Sequence, residues 1–330
     1  MGSMRALVGG AGPEWEERQV DVPVPGPGQV LIRVHAAGLN RADLYMLEGS
    51  YSPKSKTSAV FTAGLELAGE IAALGDDVAS LGVGDRICGA GLGAFADYAL
   101  LDARHVIPVP SSLSWTDAGA LPVGIATEHD ALVTQGGFTA GQSVLVIGGT
   151  TAIGLIAVQM AKALGASMVA ATTTSASKTA ALTAAGADVA INTSADGLVD
   201  AVSKATNGVG VDVVLDHIGG QLFADAFAAT RIGGTLINIG RLGGPQSTID
   251  LNTMSFRRLR VLGTTFSVRT PDELAAVCAA VRPQVMPAVA DGRIRPVVHR
   301  VFDFEDAKKA ADYLRTNQAV GKLVLRMSED

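Results

Sequence analysis

The sequence predicts an α/β protein in which a doubly wound parallel sheet follows a β-rich, barrel-like domain. Three observations predict it. The first third of the 330 residues carries short apolar runs broken by glycine, strand and helix signals alternate from about Pro122 onward, and a glycine-rich turn joins the first of those strands to its helix. A chain of this length suits two packed domains.

Taken in order, Gln29–His35 alternates as a strand does, after the Pro/Gly-rich turn from Pro23 to Gly28. Short strands are expected at Leu65–Ile71, Asp85–Cys88 and Phe95–Leu101. Ser143–Ile147 reads as a buried strand and Ile153–Leu164 as the helix after it. Met168–Ala171, Val189–Ile191, Val211–Leu215 and Thr235–Ile239 supply further strands, with helices between them, one from about Ala176 to Ala185. Repeated βα units of this kind make a Rossmann domain. After Arg269 the chain turns helical: Thr270-Pro271-Asp272-Glu273 has threonine at the N-cap, proline at N1 and glutamate at N3. Gly321–Leu325 reads as a final strand that returns to the first domain. The expected division is 1–121 with 268–330, and 122–267.

Bulk properties narrow the function. Hydrophobic residues make up 48% and charged residues 18%, the composition of a well-packed globular chain. A net charge of −6 with no basic run argues against a nucleic-acid partner. The two cysteines, Cys88 and Cys278, build neither a disulfide framework nor a four-cysteine zinc site. The five histidines show no metal-ligand spacing, and no apolar stretch is long enough to span a bilayer. The start lacks the regions of a signal peptide, Gly2-Ser3 reads as a cloning remnant ahead of a native Met4, and a cytoplasmic protein is expected.

Gly148-Gly149-Thr150-Thr151-Ala152-Ile153-Gly154 lies between a predicted strand and a predicted helix, where a turn of this kind sets a pyrophosphate on a helix N-terminus. Thr151 stands where the middle glycine is usual. The next strand leads into Thr172-Thr173-Thr174-Ser175-Ala176-Ser177-Lys178 with no carboxylate to hold free ribose hydroxyls. Thr173, Ser175 and Lys178 suit a 2′-phosphate instead, so the cofactor expected is NADPH. Ile239, Gly240 and Phe266 complete the cofactor candidates of this domain.

Several stretches resemble the medium-chain dehydrogenase/reductase superfamily and, within it, the quinone oxidoreductases. They are Ala36–Asp43, Gly64–Glu70, Val83–Arg86, Gly93–Tyr98, Leu121-Pro122 leading to Thr127, Ala157–Lys162 and Gly263–Arg269. The resemblance covers nearly the whole chain and implies a GroES-like β-barrel catalytic domain beside the Rossmann domain, together with a homodimer whose Arg260–Gly263 strands meet at the sheet edge. Zinc-dependent members place a cysteine where Asn40 stands and a histidine where Leu65 stands, so no metal is expected; Glu66 then serves as a structural hydrogen-bond partner. The resemblance places Asn40, Tyr45, Tyr51 and Thr127 at the nicotinamide and substrate cleft, where hydrogen-bond donors replace a Lewis acid, and implies that Arg269, from the Gly263–Arg269 loop, contacts a cofactor phosphate or the substrate. The implied reaction is hydride transfer to a small-molecule quinone or α,β-unsaturated carbonyl.

Two alternatives stay open: an enoyl or enone C=C reductase of a specific pathway, which uses the same residues, and a non-catalytic NADPH-binding protein. Glu128 and His129 depart from the family pattern of a small apolar residue followed by a large aromatic one. A solvated helix face is the expected place for both, with a cleft-facing titratable pair as the alternative.

Overall fold

The structure, a computed structural model, describes residues 2–10, 12–51 and 60–327. The chain divides into two compact units, Met1–Val123 with Ser267–Ala290 and Pro296–Asp330, and Gly124–Phe266 with Asp291–Arg295.

The first unit opens with β1 (Ser3–Gly9), β2 (Glu16–Asp21) and the eleven-residue β3 (Gln29–Leu39). There follow α1 (Arg41–Leu47), β4 (Phe61–Thr62), β5 (Glu66–Leu74), β6 (Arg86–Ala90), β7 (Tyr98–Asp102), β8 (Val106–Pro108) and α2 (Trp115–Gly119). β1 pairs antiparallel with β2 and β4. β3 is the spine of this unit, pairing antiparallel with both β5 and β7. Its apolar residues Val30, Ile32 and Val34 enter one core with Leu67, Ile71, Ile87 and Phe95. Two register shifts along β3 and β5 bend the pair, which is how short strands close toward a barrel.

The second unit begins within α3 (Pro122–His129), which runs into a π-helical turn over Asp130–Gln135. Then come β9 (Ser143–Ile147), α4 (Ala152–Ala163), β10 (Met168–Thr173), α5 (Thr179–Ala184), β11 (Val189–Asn192), α6 (Leu198–Ala205), β12 (Val211–Asp216), α7 (Gly220–Ala229), β13 (Thr230–Asn238), α8 (Leu251–Phe256) and β14 (Arg260–Gly263). The six strands lie in the order β11-β10-β9-β12-β13-β14, all parallel. Val144–Ile147 are completely buried because helices cover both faces of the sheet. The order reverses at β9, so the crevice outside the carboxyl ends of β9 and β12 is where this fold receives a ligand.

The chain then returns to the first unit. α9 (Pro271–Gln284) carries the expected capping box, with Thr270 Oγ1 accepting from the Glu273 N–H and the Glu273 carboxylate accepting from the Thr270 N–H. After α10 (Met286–Ala290) come β15 (Val298–Asp303), α11 (Ala307–Arg315) and β16 (Lys322–Arg326). β16 pairs antiparallel with β3, setting Leu323 opposite Leu39. That register carries Lys322 to the end of β3, beside Asn40.

Candidate active site

In the first unit Asn40 immediately precedes α1, and its side chain is held from both ends. Nδ2 donates to Glu66 Oε1 at 2.9 Å, and Oδ1 accepts from Lys322 Nζ at 2.8 Å. Lys322 Nζ also lies 2.5 Å from Glu66 Oε1, while Glu66 Oε2 accepts from the Val123 N–H at 2.8 Å. Gly38 makes room for the carboxylate, since a Cβ there would come within 2.5 Å of Glu66 Oε1. Every hydrogen bond found for Asn40 therefore points into the protein. Among the described residues no three His, Cys, Asp or Glu side chains gather in a group able to hold a metal ion.

Asp43, in the first turn of α1, accepts from the Asn40 N–H at 2.7 Å. Burial pushes its carboxyl up to about 8; the Glu66 charge adds to the rise, and Asn40 and Lys322 oppose it. Tyr51 is half-buried, and burial together with the Asp43 charge pushes its phenol up to about 12. Tyr45, on α1, is 36% exposed. Thr127 is buried on α3, in the second unit.

The glycine-rich turn of the second unit is tied down by hydroxyls. The Gly148 N–H donates to Thr172 Oγ1 at 2.9 Å, and the Gly149 N–H donates to the Thr172 carbonyl at 2.9 Å. Thr151 caps α4: its hydroxyl accepts from the Gly154 N–H at 3.0 Å and donates to the Gly148 carbonyl at 2.9 Å. Threonine in place of a glycine thus stabilises the turn from within. Gly154 is required for its close approach, since a Cβ there would lie 2.4 Å from the Gly148 oxygen. No acidic residue occupies the first turn of α4, which leaves the positive end of the helix dipole for an anion. Ala152 and Ile153 open that turn, and Thr150 donates to the Thr173 hydroxyl at 3.4 Å. A dinucleotide pyrophosphate fits these residues.

Beyond β10 the hydroxyls cluster. Ser175 Oγ lies 2.8 Å from Ser177 Oγ, Thr193 donates to the Thr173 carbonyl at 3.2 Å, and Ser194 donates to the Thr174 carbonyl at 2.8 Å. Thr193 and Ser194 escaped the sequence reading because they follow a different strand, β11. At the end of β13, the Ile239 and Gly240 N–H groups both donate to the Asp216 carbonyl, at 2.7 and 3.1 Å. Phe266 is the last residue of its segment in the second unit, and Arg269 belongs to the first unit; both are partly buried.

The structure corrects the expectation for Glu128 and His129. Neither lies on a solvated face; both are 0% exposed. The π-helical turn that follows packs against β12 and β13, which draws the end of α3 inward. Glu128 can be buried there because His217 Nε2 stands 2.8 Å from its Oε1. Burial lowers the affinity of the His217 ring for its proton, but the Glu128 charge and hydrogen bond, the Ile147 carbonyl and Asp216 together outweigh that and raise it above the ordinary value.

Comparison with known proteins gives this architecture a family. Residues 26–111 match the alcohol dehydrogenase GroES-like domain, and residues 152–281 match the zinc-binding dehydrogenase model. Quinone oxidoreductase of Lama guanicoe is 30% identical over 319 residues, 95% of this chain and 94% of that one. The chain belongs to the zinc-independent quinone oxidoreductase-like family of the medium-chain dehydrogenases/reductases. This member is 32% identical over 304 residues to a spectinabilin polyketide synthase system protein of Streptomyces orinoci, spanning 13% of that much longer protein. A mycobacterial protein solved in complex with NADPH superposes with a TM-score of 0.84 at 28% identity, covering 98% of this chain and all of the other.

Proposed function

We propose that this quinone oxidoreductase-family chain reduces a small quinone or α,β-unsaturated carbonyl with NADPH, without zinc, as a cytoplasmic homodimer. The observation that carries this reading is the rim of β9 and β10. A hydroxyl-tied glycine turn at the positive end of α4 stands beside Thr173, Ser175 and Lys178, with no carboxylate in the run. The mycobacterial relative bound to NADPH supports the same cofactor.

NADPH supplies the hydride when bound. The Gly148–Gly154 turn would hold the pyrophosphate, Ser175 and Lys178 the 2′-phosphate, and Ile239, Gly240 and Phe266 of the same unit would complete the cofactor contacts. Tyr51, with its phenol pushed up to about 12, stays protonated through neutral pH and donates to the oxygen on which charge develops; Tyr45 of the same unit assists it. Asn40, locked onto Glu66 and Lys322, shapes the wall of the cleft. The network of amide, carboxylate and ammonium at this point makes a neutralised wall in the absence of zinc ligands.

The relation to a polyketide synthase protein favours a second reading, a C=C reductase for an enoyl or enone metabolite. One experiment tests both. NADPH consumption is followed by the absorbance of the reduced nicotinamide against quinones, enones and enoyl thioesters, with and without chelator. Turnover with quinones or enones that persists in chelator is the expected result. Exclusive use of enoyl thioesters selects the second reading, and no consumption with any acceptor overturns the enzyme assignment.

A further inference from the structure

Glu128, near the end of α3, and His217, directly after β12, are both withdrawn from solvent within the second unit. The His217 ring sits between two acceptors. Nδ1 lies 2.8 Å from the Ile147 carbonyl oxygen, and Nε2 lies 2.8 Å from Glu128 Oε1. A carbonyl can only accept, so Nδ1 carries a hydrogen. Nε2 then accepts from a protonated carboxyl or donates to an ionised one. In both forms the pair shares a single proton and has no net charge, which keeps the cost of burying it low. Among the described residues Glu128 Oε2 is buried with no hydrogen-bond partner, so the hydrogen bond that ties Glu128 to its surroundings is the one to His217.

The Ile147 carbonyl is gripped twice, since the His217 backbone N–H also donates to it at 3.1 Å. Ile147 ends β9, and the next residue, Gly148, opens the glycine-rich turn with φ +81°. A Cβ on Gly148 would meet His217 Cβ at 3.3 Å, and a Cβ on Gly240 would meet the His217 oxygen at 2.3 Å. His217 therefore stands where the turns after β9, β12 and β13 converge, and Glu128 fastens that junction to α3.

The geometry points to a clamp: Glu128, acting through His217, fixes the Ile147 carbonyl and so holds the Gly148–Gly154 turn in the shape that receives the pyrophosphate. Glu128 is then a positioning residue for cofactor binding that need not touch the cofactor. The inference rests on the NADPH reading above. A turn released from the clamp spends only part of its time in the receptive shape, and affinity falls by that fraction.

The test is NADPH titration by fluorescence on the full chain, wild type against Glu128→Leu, His217→Phe, their double variant, Glu128→Gln and Glu128→Asp, with urea midpoints measured in parallel. Glu128→Leu and His217→Phe are each expected to weaken binding roughly tenfold, and the double variant no further, because each removes the same link. Glu128→Gln recovers most of the affinity, its amide donating to Nε2, whereas Glu128→Asp is one methylene short and does not. If the leucine variant fails to fold, the contrast between glutamine and aspartate decides. Folded variants that bind as wild type while losing only stability overturn the clamp, as do additive losses in the double variant. A wild type that binds no NADPH overturns the cofactor reading and the clamp with it, whereas a wild type that binds beside unaffected variants overturns the clamp alone.

Discussion

Lys322 sets its ammonium 2.8 Å from the side-chain oxygen of Asn40 while only 3% exposed. Its charge is answered by Glu66 at 2.5 Å. Taking either partner away strands the other charge in the interior. Lys322→Met is therefore expected to cost about 3–5 kcal/mol of stability, the usual range for breaking a buried pair. Combining it with Glu66→Gln returns much of the loss, because the remaining groups are neutral. Urea midpoints of the two variants check this; equal stabilities for the single and double variants would refute it.

Asp43 makes stability depend on pH in a definite direction. Its carboxyl is pushed up to about 8 by burial in the folded chain, against about 3.9 in an unfolded one. The folded state therefore holds the proton more tightly. The contribution to stability is full below about pH 4 and drains away as pH rises through about 8. Asp43→Asn, whose amide oxygen can still accept from the Asn40 N–H, should flatten the decline. Thermal midpoints across that range decide it: a decline as steep in the variant as in wild type assigns the pH dependence to other groups.

Lys178 follows the hydroxyl cluster after β10 and is the cation proposed for the 2′-phosphate. Lys178→Ala is expected to weaken NADPH binding by roughly 1.5–3 kcal/mol, the range for a hydrogen bond to a charged group, and to leave NADH almost unaffected. Calorimetric titration with both cofactors provides the check. Parallel losses for the two would remove Lys178 from the discrimination.

Among the described residues β14 occupies the edge of the second sheet, paired with β13 on one side, and its Val261 is 38% exposed. An apolar edge with open backbone groups invites a second copy across a two-fold axis. Light scattering is expected to give a dimer for wild type and a monomer for Val261→Lys, which puts like charges face to face. A monomeric wild type at micromolar concentration contradicts the assignment.

The elements read well from sequence are those whose own residues carry the signal. β9 is a run of valine, leucine and isoleucine, and α9 announces itself through Thr270, Pro271 and Glu273. β2 was illegible because Glu16–Asp21 has almost no buried side chain and so no alternation. β13 extends back to Thr230 through Gly233 and Gly234, glycines that read locally as a break. The glycine turn was legible because its geometry is local. The two buried polar networks were not: Glu128 and His217 are 89 residues apart, and Asn40 and Lys322 are 282 apart. A lysine at the head of an apolar strand was the one available sign of the second, since lysine is rarely buried without a partner.

The separation of 282 positions from Asn40 to Lys322 also imposes a timetable. At ribosomal speeds of about 5–20 residues per second, roughly 15–55 s separate the emergence of the two. During that interval the whole Rossmann sheet is made, with its strands and helices free to assemble, while Glu66 waits without its cation and β3 lacks the neighbour β16 will provide. A ribosome paused in the intervening stretch would hold a nascent chain with a complete parallel sheet and an unfinished first unit. The order of synthesis thus leaves the buried Asn40–Glu66–Lys322 network to be completed last.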